Sequence, residues 1–209
     1  MFDKIKKFED ALAEYTRAPY AIMTDCCTHA IEMCLRYDQI SVCSFTPFTY
    51  LSVPMTMHKL GIEYSYFPDH LPHRQQWVGE YKFEATRIWD SARRLEPSMY
   101  RPGMMQCLSF GHTKPLHIGH GGAILLDDKQ AYDTIIRMRY DGRDLNIKPW
   151  QEQKEFYVGY HYKPSIEDAI QGTSLLHGLR EYCPEPKFVQ YPDLRNIVIK
   201  DWHDRSEEH

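Results

Sequence analysis

Apolar positions along this chain alternate between two rhythms. Phe2, Ile5, Phe8, Leu12 and Tyr15 recur at helical spacing with charges between them, which predicts an amphipathic helix ending near Ala18 and Pro19. Tyr20 to Met23 then reads as a short buried strand. Polarity rises from Thr24 to Thr28, and the helical rhythm resumes at Ile31, Met33, Cys34 and Leu35. The pattern is strand, tight turn, helix N-terminus. A second strand is expected over Ile40 to Phe45, a helix from about Leu51 to Lys59 stopped by Gly61, and a third strand over Ile62 to Phe67. Pro68 to Glu80, rich in Pro, His, Gln and Arg, reads as an irregular connection. Ala85 to Trp89 follows as a strand that delivers Asp90 at its end.

The next stretch runs from Cys107 through Ser109, Lys114 and the pair Gly121-Gly122 to Leu126. Two apolar runs enclose a polar loop, so strand, loop, strand is expected, with one lysine at the turn. Lys129 to Tyr140 predicts a helix and 144 to 164 a long aromatic loop. A further helix is expected from the Ser165 cap, with Glu167 and Asp168 in its first turn, to about Leu179. The tail from Cys183 is Pro-rich and carries one strand-like run, Asn196 to Ile199. Strands alternating with helices indicate an α/β fold with three α/β/α layers and a mostly parallel sheet.

Composition narrows the function classes. A length of 209 residues that is 43% hydrophobic suffices for a sizeable core. The net charge of -4, with both signs scattered, offers no basic stripe for nucleic acid or for an anionic membrane. No apolar run reaches the length of a bilayer span, so a cytoplasmic protein is expected. Cys26, Cys27, Cys34, Cys43, Cys107 and Cys183 include no CxxC pair and fall mostly beside apolar runs, as reduced core cysteines do.

Thr28, Tyr50, Asp90, Ser109 and Lys114 all fall at or just after predicted strand ends, where open α/β sheets gather ligands. A lysine pressed between buried strands can serve as a nucleophile for Schiff-base chemistry, although a surface lysine in an ordinary hairpin would show the same spacing. Thr28 at a helix start could bind an anion or only cap the helix. A lysine for an imine, a carboxylate at a strand end, an aromatic side chain and a hydroxyl-lined anion site are together the parts that hold pyridoxal phosphate.

The order of these segments resembles the DegT/StrS sugar aminotransferase family of fold type I, PLP-dependent transferases. Thr24-Asp-Cys-Cys-Thr-His-Ala-Ile31 stands where the family has its Ser-Gly-Thr-Ala-Ala-Leu phosphate turn. Thr49-Tyr50 resembles its Thr-aromatic segment and Ile88-Trp-Asp-Ser-Ala92 its Glu-Asp-x-Ala motif. Ser109-Phe-Gly-His-Thr-Lys114 resembles its Ser-Phe-x-x-x-Lys motif, and Gly119-His-Gly-Gly122, Arg139-Tyr-Asp-Gly142 and Gly159-Tyr-His-Tyr-Lys163 continue the likeness.

The resemblance implies that Lys114 is the catalytic residue that forms the imine with the cofactor and later shuttles protons. It implies that Asp90 pairs with the pyridine nitrogen, Tyr50 stacks on the ring, and Ser109, Thr28 and the backbone of Cys27 bind the phosphate. Arg93 stands where the family commonly has a Gln near the phenolic oxygen. His161 stands where an Asn from the partner subunit completes the phosphate site, so a homodimer with shared active sites is implied, acting on a nucleotide-linked keto sugar with glutamate as the usual donor.

Two departures bear on activity. Cys26-Cys27 replaces Ser-Gly, adding a Cβ where glycine lets the backbone close on phosphate. The family's smaller C-terminal domain is expected to be largely absent, with residues 1–182 forming the large domain and 183–209 a remnant extension. A non-catalytic or cofactor-binding relic acting as an interaction protein is therefore the alternative function. A 3-dehydratase of the same fold ranks lower because those relatives place His where Lys114 stands. His112, His117 and His120 crowd one loop but match no standard zinc spacing, so no metal is expected.

Overall fold

The computed structural model describes residues 2–67, 79–147, 149–179 and 191–200. Most of the expected 68–80 connection, Cys183 and most of the proposed C-terminal extension lie outside the described residues.

The chain opens with helix α1 (Phe2–Thr16), strand β1 (Tyr20–Thr24) and helix α2 (Cys27–Tyr37). Strand β2 (Val42–Phe45), helix α3 (Ser52–Leu60) and strand β3 (Glu63–Tyr66) then form a parallel crossover, since parallel partners need a connection that returns the chain to its starting edge. Gly61 ends α3 in the left-handed region at φ 66°, a conformation that costs glycine little. Strands β4 (Tyr81–Lys82), β5 (Ile88–Asp90), β6 (Met105–Ser109) and β7 (Gly122–Leu126) follow. Helices α4 (Lys129–Met138) and α5 (Ile166–Leu179) complete the described elements, with short 3-10 turns at Trp150–Glu152 and Leu194–Asn196.

The main sheet has the order β1-β7-β6-β5-β4. The expected mostly parallel sheet is mixed. Strand β7 is antiparallel to both β1 and β6, and β4 is antiparallel to β5, leaving β5–β6 as the parallel pair of this sheet. The reason lies in the connections. The turn 83–87 is too short for a crossover and the loop 110–121 forms no helix to carry one, so each returns the chain as a hairpin. Strands β1, β5 and β6 still share one direction, which puts their C-terminal ends along one edge.

The pleat divides the core between the sheet's two faces. Ile22, Ile88, Met105, Cys107, Ile124 and Leu126 pack with α2 and α4 residues such as Leu35 and Ile135. Ala21, Met23, Leu108, Ala123 and Leu125 pack on the other side with Phe8 and Leu12 of α1 and Ala169 and Leu176 of α5. The three layers read from the sequence are thus present. Between α1 and α4 the buried pair Glu9–Arg139 joins the layers, and the Met23 backbone N–H also donates to Glu9, at 2.8 Å.

Helix starts follow their caps. Asp128 accepts from the backbone N–H of Gln130 and Ala131 at 2.9 and 3.0 Å, and Ser165 accepts from Asp168 at 3.0 Å. The expected strand over Asn196 to Ile199 is not one. Buried Leu194 instead ties this segment to the carbonyl of Pro47, and Val198 projects outward. No helix among the described residues is long and apolar enough to cross a membrane.

Candidate active site

Register aligns the candidate residues. Thr24 and Ser109 both pair with Gly122, and two rungs deeper Asp90 pairs with Cys107, which pairs with Ile124. Asp90 and Ser109 share pleat parity with Ile88, Met105 and Cys107, so both face the side of the sheet covered by α2.

Asp90 is 7% exposed. Its Oδ1 accepts from the Ala92 N–H at 2.9 Å and its Oδ2 from the Tyr81 hydroxyl at 3.0 Å. Burial pushes the carboxyl above the usual carboxylate range, while the Ala92 and Tyr81 hydrogen bonds and the charge of Lys114 pull it back down. Lys114 also acts on Cys27. Burial drives that thiol well above its ordinary value, the Asp90 charge adds to the rise, and the Lys114 charge opposes it. One lysine, one buried carboxylate and the first residue of α2 therefore share an electrostatic neighbourhood.

The loop carrying Lys114 is pinned at both ends. Phe110 donates to the Gly121 carbonyl at 3.0 Å and receives from the Gly119 N–H at 2.9 Å, and the Lys114 N–H donates to Gly111 at 3.0 Å. A side chain added at Gly111 would lie 3.9 Å from both the Lys114 Cγ and the Ser109 Oγ, so these two groups flank the same spot.

The N-terminus of α2 closes this corner. Cys26 caps it, its sulfur accepting from the His29 N–H at 3.4 Å. The Cys27 and Thr28 N–H groups belong to the first turn, whose donors a helix cannot satisfy internally. Thr28 Oγ1 and Ser52 Oγ lie 2.8 Å apart, joining the starts of α2 and α3. That bond uses one of two hydroxyl protons, and the other can turn to an anion. A Cβ at Gly122 would stand 2.5 Å from the Cys27 nitrogen, so glycine here lets β7 press against the helix start. The extra Cβ at Cys27 needs no left-handed backbone, because the residue lies inside α2 with its side chain buried.

The remaining expected residues are placed differently. Tyr50 is 62% exposed in the loop before α3, its ring edge-on to Tyr191 at 6.4 Å. Arg93 follows Asp90 closely, and its N–H donates to the Gly79 carbonyl at 3.1 Å. His161 is at the surface, with Nδ1 3.1 Å from the Asp141 carboxylate. Its neighbours Tyr160 and Tyr162 lie against α2, under Arg36 at 4.6 Å and stacked on His29 at 3.6 Å. Lys114, Asp90, Cys27 and Ser109 are gathered, while Tyr50 and His161 are exposed and contact Tyr191 and Asp141 instead.

The loop histidines do not converge. His112 lies over Gly119, and His120 lies 3.6 Å from Asp168. Among the described residues, the side chains with metal-ligand chemistry that do come together are Asp25, Cys26 and His29. There Asp25 already partners the imidazole at 2.8 Å. Burial works against its charge, but Asp25 and Cys26 raise His29 to about 9. That network is an ion pair in its own right.

The sequence did not single out Tyr81, and Thr49 entered only as part of the Thr49-Tyr50 segment, with no role of its own. The Tyr81 hydroxyl bonds Asp90 and sits 2.6 Å from Thr49 Oγ1, and all three side chains are buried. Strand β4 has two residues, too few for a periodic signal, so nothing in the sequence pattern flags Tyr81.

Residues 1–69 and 101–182 match the model of the DegT/DnrJ/EryC1/StrS aminotransferase family. No curated protein matches the chain by sequence. Among solved structures, the fold is similar to Helicobacter pylori PseC, an aminotransferase involved in the biosynthesis of pseudoaminic acid, with a TM-score of 0.71 and 17% identity over 85% of this chain and 58% of that one. AtS13 from Actinomadura melliaura gives 0.69 and 17% over 85% and 60%. A GDP-4-keto-6-deoxymannose-3-dehydratase (ColD) gives 0.65 and 12% over 85% and 61%. The chain thus spans about three fifths of the length of the solved structures it matches.

Proposed function

The chain belongs to the DegT/DnrJ/EryC1/StrS aminotransferase family, and from that premise we propose that it binds pyridoxal phosphate at the corner formed by Lys114, Asp90 and the start of α2 and uses it to transfer an amino group. The observation that carries the proposal is the geometry at the carboxyl edge of the sheet. Buried Asp90 at the end of β5 lies on the same face as Ser109 at the end of β6, the Lys114 side chain flanks Ser109, and Gly122 opposite Ser109 presses on the start of α2.

The residues present fit such a cofactor at both ends. A buried carboxylate is costly unless a cation offsets it, and a protonated ring nitrogen would add to the offset that Lys114 supplies. At the other end, α2's first-turn N–H groups and the hydroxyls of Ser109, Thr28 and Ser52 suit a phosphate. When bound, pyridoxal phosphate supplies an aldehyde for the lysine amine and a ring that accepts electrons from the carbon losing its proton. Lys114 would hold the cofactor covalently and afterwards move protons at that carbon. Asp90 would hold the ring nitrogen's proton, and Tyr50 would cover the ring.

The substrate in this reading is a nucleotide-linked keto sugar, with glutamate as donor, and a homodimer lets His161 of a second copy reach the anion corner. Support comes from the family and from the exposure of His161 and Tyr50 on one chain.

Loading the chain with pyridoxal phosphate and adding an amino donor without acceptor is the direct test. The predicted outcome is conversion of the loaded form's spectrum to that of the pyridoxamine form, in stoichiometric amount. A loaded chain whose spectrum stays unchanged with every amino donor would instead support the binding-only relic.

A further inference from the structure

Asp90 is held by a chain of buried hydroxyls that comes from two other parts of the fold. Tyr81 on β4 lies directly opposite Asp90 on β5 in the antiparallel register. Its hydroxyl donates to Asp90 Oδ2 at 3.0 Å, and its oxygen lies 2.6 Å from Thr49 Oγ1. A tyrosine hydroxyl has one proton. Because that proton goes to the carboxylate, Thr49 must donate to the tyrosine oxygen. The direction of the relay is therefore fixed as Thr49 to Tyr81 to Asp90. Donation into the phenol oxygen polarises the O–H and makes it a stronger donor to the carboxylate.

We propose that Tyr81, anchored by Thr49, is a positioning residue that fixes the Asp90 carboxylate in plane and in its charged form toward the cofactor's ring nitrogen. With Oδ2 held by Tyr81 and Oδ1 by Ala92, rotation of the carboxylate would break one of the two bonds, and each oxygen keeps a lone pair for a further donor. Burial and the neighbouring Asp90 charge push the Tyr81 hydroxyl well above its ordinary value, so it stays a neutral donor. The groups whose charge or titration acts at Asp90 are Tyr81 from β4, Lys114 from the loop, Cys27 from α2 and Cys107 from β6. Lys114 is the cation in this set, and Tyr81 is the side-chain hydrogen-bond donor. Thr49 immediately precedes Tyr50, so the relay also anchors the segment carrying the ring-covering aromatic.

The role given to Asp90 rests on the proposed cofactor, but the relay is measurable without it. In cofactor-free protein labelled with 13C at aspartate carboxyls, the Asp90 resonance is titrated in the parent, Tyr81→Phe and Thr49→Val. Loss of the donor should move the Asp90 midpoint upward in Tyr81→Phe and, by less, in Thr49→Val, with circular dichroism unchanged. A midpoint that stays in place in either folded variant overturns the relay, and Thr49→Val serves if Tyr81→Phe does not fold.

In a second arm, the parent and Tyr81→Phe are loaded with ring-15N pyridoxal phosphate. The parent should show a protonated ring nitrogen. Tyr81→Phe should shift toward the unprotonated form and hold the cofactor about tenfold less tightly, the loss expected for one hydrogen bond to a charged group. An identical ring-nitrogen shift and affinity in the variant would overturn the positioning role. A parent that takes up no cofactor would contradict the proposed function, while the 13C titration would still decide the relay.

Discussion

Asp90, Ser109 and Lys114 were legible because each stands at a strand end marked by an apolar run, and strand ends on one edge must converge. Tyr81 was not, and Thr49 was read only as the neighbour of Tyr50, because what gives them meaning is a hydroxyl-to-hydroxyl contact between residues 32 positions apart. Gly122 was readable as a motif glycine, but its reason is spatial: a Cβ there would stand 2.5 Å from the Cys27 nitrogen and 2.6 Å from the Cys26 carbonyl carbon. Those are backbone atoms and cannot rotate away. Gly122→Ala is therefore expected to destabilise the fold by about 1–3 kcal/mol, the range for overpacking, and to weaken anion binding at the start of α2. Urea unfolding would measure the first effect and phosphate titration the second, and a variant as stable as the parent would contradict the close approach.

Helices α1 and α4 followed their apolar periodicity, and α3 and α5, marked by Gly61 and the Ser165 cap, matched expectation nearly to their ends. The strands β1, β2 and β3 also fell within two residues of expectation, and the strand before Asp90 did not. Ala85 adopts φ 65° in the turn before β5, so the expected strand over Ala85 to Trp89 begins later and follows a hairpin from β4. What holds α2, α3 and the 159–163 segment together is also hidden from periodicity. Glu32, 1% exposed, lies 2.9 Å from Arg36 and 2.8 Å from Lys59, and accepts from Tyr162 at 3.1 Å. Burial works against its charge, but the bonds from Lys59 and Arg36 outweigh it and hold Glu32 below its ordinary value. A carboxyl with a lowered folded pKa adds stability that is full above its unfolded pKa and is lost as pH falls through the folded one. Acid unfolding should accordingly show a loss of stability below the usual carboxylate range. Glu32→Gln should be less stable than the parent at neutral pH and converge with it in acid; parallel pH profiles for the two would rule out this contribution.

Across the whole molecule, three layers and the carboxyl-edge crevice followed from alternating strands and helices, whereas strand direction did not. Direction depends on whether a connection forms a crossover, and loop 110–121 holds no helix to carry one, so β7 turns back beside β6. That reversal is what brings Gly122 against α2 and holds the Lys114 loop over the ends of β5 and β6. The central claim is thus a covalent one, that the amine at Lys114 carries the cofactor. It is tested by reducing the pyridoxal phosphate-loaded chain with borohydride and mapping the attached pyridoxyl group by peptide mass spectrometry. A single labelled peptide containing Lys114 is expected in the parent, and no labelled peptide in Lys114→Ala. A label on another lysine, or equal labelling of Lys114→Ala and the parent, would contradict it.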